Sequence, residues 1–180
     1  YLIVTFSNVV FMGMGEPLLN FDAVMGAVDV LKDDFGFGLS KRRITISTAG
    51  VVPGIKKMCG RTDVALAISL HAPKDSVRSD LVPINRKYPI ADLIEACSNY
   101  LSTVGERRSV TVEYTLMEGV NDSLDDARDL AQLLRGLKCK INLIPFNPFP
   151  SSGYLRPSRG ATEEFQNTLI NLGYTTMLRK

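Results

Sequence analysis

The stretch at residues 8–18, NVVFMGMGEPL, decides the fold class. An apolar run leads directly into a glycine-rich turn that carries one carboxylate, Glu16. Glycine lets the turn adopt dihedral angles closed to other residues, and Pro17 ends the strand because it cannot donate to a ladder. The pattern predicts a buried strand with a carboxylate at its C-terminal end, where α/β proteins usually place ligands. An ordinary strand-to-helix turn is the alternative.

The rest of the chain alternates between extended and helical patterns. Apolar or β-branched runs predict strands over 8–13, 43–48, 64–70, 110–117, 140–146 and 175–178. Apolar residues at helical spacing predict helices over 21–31, 52–58, 90–101, 124–134 and 165–172. Asp122 is the predicted N-cap of the helix over 124–134. This alternation predicts an α/β fold with a parallel sheet covered by helices, either an open doubly wound sheet or part of a barrel.

Composition limits the possible functions. The 180 residues are 45% hydrophobic and 22% charged, which predicts a single domain over 1–180. No apolar run approaches the ~20 residues of a membrane span, and we expect no signal peptide, because the first residues lack its charged, apolar and small-residue segments. We therefore expect a cytoplasmic protein with no membrane partner. Three widely spaced cysteines predict free thiols rather than a metal site or disulfides. The first residue is Tyr1 rather than methionine, which predicts a piece of a longer protein.

The net charge of +2 says little about partners, so any nucleic-acid interface must depend on local basic clusters. Each cluster taken alone is typical of solvated surface charge. Arg156 and Arg159 lie in a long irregular segment beside Tyr154, an aromatic residue of the kind that stacks on bases. The other clusters are at 41–43, 86–87, 107–108 and 179–180.

Polar side chains gather near the ends of the predicted strands, which share one face in a parallel sheet or barrel. Together they suit a zwitterionic, hydroxyl-rich ligand such as an amino-acid nucleoside. His71, the only histidine, is either a general base or a hydrogen-bonded packing residue. Ser47 has no neighbouring base, which argues against a nucleophilic serine. The set comprises Glu16, Ser47, Ser69, His71, Glu113, Asn121, Asn142 and Asn147.

Six segments, taken in order, resemble the RlmN family of radical S-adenosylmethionine (SAM) enzymes. They are GMGEPLLN (13–20), DDFGFGLSKRRITISTAGVVP (33–53), ISLHAP (68–73), LVPIN (81–85), YTLMEGVND (114–122) and KINLIPFNPFP (140–150). The resemblance implies a partial (β/α) barrel of radical-SAM type, incomplete at its N-terminal side. It also implies SAM-binding roles, without a role in the methyl transfer itself, for Gly15, Glu16, Ser47, Ser69, Leu70, His71 and Asn147.

The reaction implied by the resemblance is methylation of carbon 2 of an adenine in 23S rRNA and in certain tRNAs. A 4Fe–4S cluster would cleave one SAM to a radical, and a second SAM would methylate a cysteine near the C-terminus. The radical would abstract hydrogen from that methyl group, whose carbon then adds to the adenine. The implied partners are 23S rRNA, tRNA and an electron donor for the cluster, and we expect a monomer.

The sequence departs from the family at two points. The CxxxCxxC cluster motif expected upstream of Asn8 and the methyl-carrying cysteine expected after the last strand are both absent. We therefore expect a fragment of the radical-SAM core, lacking the cluster-binding segment and the C-terminal cysteine tail, and inactive alone. Two alternatives remain: a truncated, non-catalytic SAM- or RNA-binding module, and a non-radical barrel enzyme that uses Glu16 and His71 as acid and base.

Overall fold

The computed structural model describes residues 6–12 and 14–179. Its strands are β1 (Val9–Phe11), β2 (Ile44–Thr48), β3 (Ala65–Ser69), β4 (Val110–Leu116), β5 (Cys139–Pro145) and β6 (Thr176–Leu178). Its α-helices are α1 (Phe21–Lys32), α2 (Val52–Met58), α3 (Asp75–Leu81), α4 (Ile90–Val104), α5 (Leu124–Leu133) and α6 (Arg159–Asn171). The predicted elements are confirmed with shifts of up to three residues at their ends, except that α6 begins six residues before its predicted start. Residue 13, at the end of the first predicted strand, lies outside the described residues. The short helix α3 is not among the predictions.

The strand order decides between the two predicted architectures. All neighbouring strands are parallel, and their order in the sheet, β1-β2-β3-β4-β5-β6, is their order in the sequence. A doubly wound sheet reverses its order at a switch point and so places helices on both faces. An order without reversal keeps the crossovers on one face, as in a (β/α) barrel. Among the described residues β1 and β6 do not pair, so the barrel is open.

Each strand separates its residues between two environments. In β4, Val110, Val112 and Leu116 are fully buried against the helices. The intervening residues, such as Glu113, face the concave side of the sheet, because successive side chains of a strand point to opposite faces. The helices therefore cover the apolar convex side, while the concave side of β2, β3 and β4 carries small and polar residues.

The start of α5 corrects one prediction. Ser123 rather than Asp122 is the N-cap: its hydroxyl accepts from the Asp126 backbone N–H, and the Asp126 side chain closes a capping box. The Asp122 carboxylate instead accepts from the Gly119 N–H at 2.8 Å. Asp122 therefore closes the preceding turn, and Ser123, three residues before an acidic residue, caps the helix.

Within the part of the chain that the structure describes, no helix combines the length and the apolar character that crossing a membrane requires.

Candidate functional site

Glu16 connects the turn after β1 to the turn after β2. One of its carboxylate oxygens accepts from the Leu18 N–H at 3.0 Å, and the other accepts from the Ala49 N–H at 2.7 Å. Gly15, directly before it, has a positive φ of 100°, which favours glycine. The carboxylate therefore holds two strand ends together, and each oxygen keeps a lone pair for a further donor.

Ser47 and Ser69 place two hydroxyl groups on the concave side of neighbouring strands. Ser47 pairs in register with Ala67, two residues before Ser69. Neither hydroxyl hydrogen-bonds to another described residue, and neither is a buried polar atom left without a partner. Both are therefore free to bind a ligand that enters from the concave side.

His71 lies just after β3 with a positive φ of 61°, an uncommon conformation for a residue with a side chain. Its Nδ1 accepts from the Thr115 N–H at 3.0 Å, which leaves the proton on Nε2. Burial, with a smaller contribution from the Arg78 charge, lowers the pKa of His71 to about 4. The imidazole is therefore neutral at pH 7 and offers Nε2–H as a donor, which does not support a role as general base.

Asn121 joins the ends of β3 and β4. Its amide nitrogen donates to the carbonyl oxygens of His71 at 2.6 Å and Thr115 at 2.7 Å. Its oxygen accepts from the Met117 N–H at 2.7 Å. The side chain is almost fully buried, so these bonds replace water that the groups would otherwise need. The carboxamide thus ties the carbonyl of the left-handed residue, His71, to the backbone at the end of β4.

Arg78, on α3, is a buried positive charge that contacts no carboxylate among the described residues, and the sequence patterns do not single it out. Its Nε donates to the Leu70 carbonyl at 3.0 Å, and its Nη2 donates to the carbonyls of Ala49 at 2.7 Å and Ser69 at 2.9 Å. Its Nη1 donates to Asn85 Oδ1 at 2.7 Å. The guanidinium thus connects the carboxyl ends of β2 and β3, where four of the seven predicted SAM-binding residues lie.

A second layer of hydrogen bonds holds the guanidinium in position. The Asn85 amide nitrogen donates to Asp75 Oδ1 at 2.8 Å and to the Ser79 hydroxyl at 2.9 Å. This arrangement turns the Asn85 oxygen toward Arg78. Burial lowers the pKa of Arg78 to about 10, with the Asp75 charge opposing that shift. Arg78 therefore remains charged at neutral pH.

Gly50 provides the space that the guanidinium occupies. A Cβ at this position would lie 3.2 Å from Arg78 Nη2 and 3.4 Å from Leu93 Cδ2. Its φ of +117° is also one that side chains rarely adopt. The absence of a side chain at Gly50 thus lets the Arg78 guanidinium lie close to the turn after β2.

Glu113 and Asn142 form a polar pair on the concave side, in the middle of their strands rather than at the ends that the sequence suggests. They are register partners on β4 and β5, and Asn142 Nδ2 donates to Glu113 Oε2 at 2.7 Å. Burial raises the pKa of Glu113, while the Asn142 bond and the Arg179 charge oppose the shift. The pair therefore places polar groups on the concave side of the sheet, in the middle of β4 and β5.

Asn147 lies just past β5 and is exposed. Its Oδ1 accepts from Arg156 Nη1 at 3.0 Å. The irregular segment over 146–158 is attached to the turn after β4 by a bond from the Glu118 N–H to the Leu155 carbonyl at 3.0 Å. Asn147 is therefore held at the far side of the sheet from β1.

The predicted site residues are spread along the carboxyl ends of the strands, from β1 to β5, rather than gathered in one closed pocket. A cavity of about 440 Å³ beside β1 is lined in part by Met12, Gly15 and Glu16. A separate cavity of about 370 Å³ beside β5 is lined by Ile144, Pro145, Asn147, Arg156 and Arg179. Ser47 and Ser69 lie on the strands between them, and His71 lies just after β3. The strand ends therefore offer an open, elongated face.

The residues present fit SAM but not an iron–sulfur cluster. The hydroxyls of Ser47 and Ser69 suit the carboxylate of SAM, and the carboxylate of Glu16 suits its ammonium group. An added Cβ at Gly15 would meet no atom within 4 Å, so the space beside this glycine is open. In contrast, the described residues contain no group of three or more potential metal ligands. The cysteines are free, and burial raises the pKa of Cys97 to about 12 and of Cys139 to about 11. Such protonated thiols are poor cluster ligands.

Comparisons with known proteins agree with this geometry. A sequence model of the Radical SAM superfamily matches residues 3–134. Proteins named "Dual-specificity RNA methyltransferase RlmN" from Marinomonas sp. (strain MWYL1) and Marinobacter nauticus (strain ATCC 700491 / DSM 11845 / VT8) are 58% and 56% identical to this chain over 173 residues. These matches cover 96% of this chain and 47% of each relative, so the chain spans about half their length.

Two solved structures share the fold. A radical SAM methyltransferase from Sphaerobacter thermophilus matches with a TM-score of 0.92 and 47% identity, covering 98% of this chain and 51% of that one. A domain of a pyruvate-formate lyase-activating enzyme from Bacteroides vulgatus ATCC 8482 matches with a TM-score of 0.71 and 18% identity, covering 97% and 100%. The second likeness concerns the fold alone. With its open parallel half-barrel and its matched superfamily segment, this chain belongs to the radical SAM superfamily.

Proposed function

We propose that the intact protein is a radical SAM methyltransferase that methylates carbon 2 of adenine in 23S rRNA and in tRNA. The observation that carries the proposal is the identity of 54–58% to proteins named RlmN over 96% of this chain. Radical SAM chemistry would be supplied by SAM together with a 4Fe–4S cluster. Because the described residues do not fit a cluster, we assign them only the binding of SAM and RNA.

The proposed SAM contacts follow from the chemistry of each group. Glu16 and the backbone around Gly15 would hold the ammonium group, and the hydroxyls of Ser47 and Ser69 would bind the carboxylate. The neutral His71 would donate from Nε2. Leu70 would contribute only through its backbone carbonyl, because its side chain is fully buried and its N–H donates to the Glu113 carbonyl. Asn147 would bind the ribose or the adenine with its carboxamide. These roles suit the carboxyl ends of parallel strands, where ligands bind in such folds.

The remaining partners belong to the same proposal. An RNA substrate favours a cytoplasmic location, and the cluster would need an external electron donor. We expect the protein to act as a monomer, and residues 1–180 to form one domain.

A direct assay tests the function. The intact protein, with its cluster reconstituted without oxygen, is incubated with SAM, a reductant and a 23S rRNA transcript. We expect 2-methyladenine in the digested RNA. Methylation at another atom, or none with a fully loaded enzyme, would refute the assignment.

The isolated 180-residue chain separates enzyme from binding module. We expect it to give no methylated RNA under the same conditions, because its described residues do not fit a cluster. Turnover without iron would instead favour a non-radical enzyme. The bonds of Glu16 to two backbone N–H groups and the lowered pKa of His71 oppose that alternative.

A further inference from the structure

Three arginines meet beside the carboxyl ends of β5 and β6. A cavity of about 430 Å³ is lined by Pro145, Arg156, Pro157, Arg159, Thr162, Glu163, Leu178 and Arg179. Arg156 and Arg179 also line the 370 Å³ cavity that contains Asn147. These two side chains therefore border both cavities, one of which adjoins a proposed SAM contact.

The charges around this double cavity are unbalanced. Arg159 is paired with Glu163, with 2.7 Å between Nε and Oε1. Within the described residues, neither Arg156 nor Arg179 forms an ion pair. Arg156 donates only to the neutral carboxamide of Asn147. The charge of Arg179 acts to lower the pKa of Glu113, but the Glu113 carboxylate accepts its hydrogen bond from Asn142. Two guanidinium groups are thus free to bind an anion.

The surroundings favour a nucleic-acid phosphate over a small free anion. The aromatic ring of Phe146 lies 6.1 Å from that of Phe149 and 6.0 Å from that of Tyr154, measured between centroids. Phe149 is 61% exposed although it is large and apolar. Proteins that bind single-stranded RNA combine arginines along the backbone with aromatic rings on which bases stack. Arginine also matches the geometry of a phosphate with two parallel N–H donors.

We propose that Arg156 and Arg179 form a binding site for a backbone phosphate of the RNA substrate. The inference rests on the proposed function and deepens it, because it assigns the RNA-facing side of the site to the segment 146–158 and the end of β6. A phosphate between the two arginines would lie next to Asn147. The RNA would therefore be anchored beside the bound SAM at the end of the sheet opposite β1.

Binding measurements on the intact protein, with its cluster and SAM, test the site. The double variant Arg156→Gln/Arg179→Gln is compared with Arg128→Gln/Arg135→Gln, which removes two exposed arginines from the region of α5 and so loses the same net charge. RNA affinity for a 23S rRNA transcript is measured at several salt concentrations. SAM affinity is measured separately by equilibrium dialysis, because Arg156 contacts Asn147.

We expect the first variant to bind RNA about 100-fold more weakly, roughly tenfold for each lost charged contact. The slope of log affinity against log salt should fall by about 2. SAM affinity should change less than about twofold, and Arg156→Lys/Arg179→Lys should recover most of the RNA affinity, because lysine still binds phosphate as a point charge. The control variant should lose far less affinity.

Three results would overturn the site. RNA affinity and salt slope equal to those of the control variant would leave the two arginines as ordinary surface charge. A loss of SAM affinity with RNA affinity intact would assign them to SAM instead. A wild-type protein that neither binds nor methylates RNA would refute the proposed function, and the phosphate site with it.

Discussion

Arginines have opposite roles in two regions of the sheet. At the ends of β2 and β3, Arg78 is fully buried, and its four hydrogen bonds go to three backbone carbonyls and one carboxamide. At the ends of β5 and β6, Arg156 and Arg179 are exposed, and they line cavities with few protein partners.

The difference follows from what satisfies each charge. A buried guanidinium is tolerated only when its donors are matched by protein acceptors, so its geometry is fixed before any ligand arrives. An exposed guanidinium is satisfied by water and exchanges that water for an anion at modest cost. The region around Arg78 is therefore a preorganised scaffold, and the region around Arg156 and Arg179 is a surface that can bind an anion.

The largest expected effect comes from Arg78→Met. The substitution leaves four buried acceptors without their donor, and we expect the free energy of unfolding to fall by about 3 kcal/mol. SAM affinity should fall as well, because the segments after β2 and β3 lose their connection. Urea unfolding of the intact protein measures the first quantity and equilibrium dialysis the second.

Arg86→Met is the matched control for Arg78→Met, because Arg86 is an exposed arginine nearby in the chain with only a loose contact to Asp80. Its effect should stay within about 0.5 kcal/mol. Equal effects of the two substitutions would remove the contrast between buried and exposed arginines.

Gly50→Ala should have the next largest effect. The new methyl group combines an unfavourable positive φ with a close contact to Arg78, and we expect a loss of about 2 kcal/mol in urea unfolding. Gly105→Ala shares a positive φ, of +99°, but its Cβ would meet no atom within 4 Å. Its smaller cost, about 1 kcal/mol, measures the backbone strain alone. A smaller loss for Gly50→Ala than for Gly105→Ala would show that the space around Arg78 is not critical.

His71 should make stability depend on pH. Its pKa is about 4 in the folded protein and 6.5 in the reference state, so the unfolded chain binds the proton first as pH falls. The contribution of the neutral His71 to the free energy of unfolding should therefore be fully present above pH 6.5. It should decline toward pH 4, by at most about 1.4 kcal/mol per pH unit.

His71→Asn isolates this titration, because asparagine tolerates the left-handed conformation and offers an acceptor near the position of Nδ1. Urea unfolding at a series of pH values measures both proteins. The difference between their curves should appear only below pH 6.5. Parallel curves would mean that His71 does not titrate differently in the folded protein.

The smallest effect on stability is expected at the other end of the sheet. Arg156→Gln removes one exposed hydrogen bond to Asn147, and the free energy of unfolding should change by less than about 0.5 kcal/mol. A loss comparable to that of Arg78→Met would place Arg156 in the scaffold and contradict the comparison. Urea unfolding again decides, with Arg128→Gln as the surface reference.

Local patterns predict most of the elements. An apolar run over 64–70 marks β3, the β-branched residues of 110–117 mark β4, and the helical stripe of Leu93, Cys97 and Leu101 marks α4. The strand order depends on pairings between distant segments, so periodicity leaves it open. The capping error at Asp122 has a local cause: two adjacent residues both suit an N-cap, and the contact to Gly119 decides between them.

The site is only partly accessible from sequence. The resemblance identifies candidate SAM contacts by their order along the chain, and these roles remain predictions. The sequence does not identify Arg78 as a site residue, because an arginine in a polar helical segment is typical of a solvated surface. Its function depends on carbonyl groups, which every residue carries and no sequence pattern marks. Asn121 suggests a turn, and only the fold shows its bonds to His71 and Thr115.

The unreversed strand order also bears on how the protein is made. Each strand pairs with the one before it in sequence, so a nascent chain leaving the ribosome meets an edge that is already in place. Among the described strands, none after β1 has to wait for a later one before it can join the sheet. Synthesis and folding can thus advance together, one βα unit at a time, with β6 arriving last.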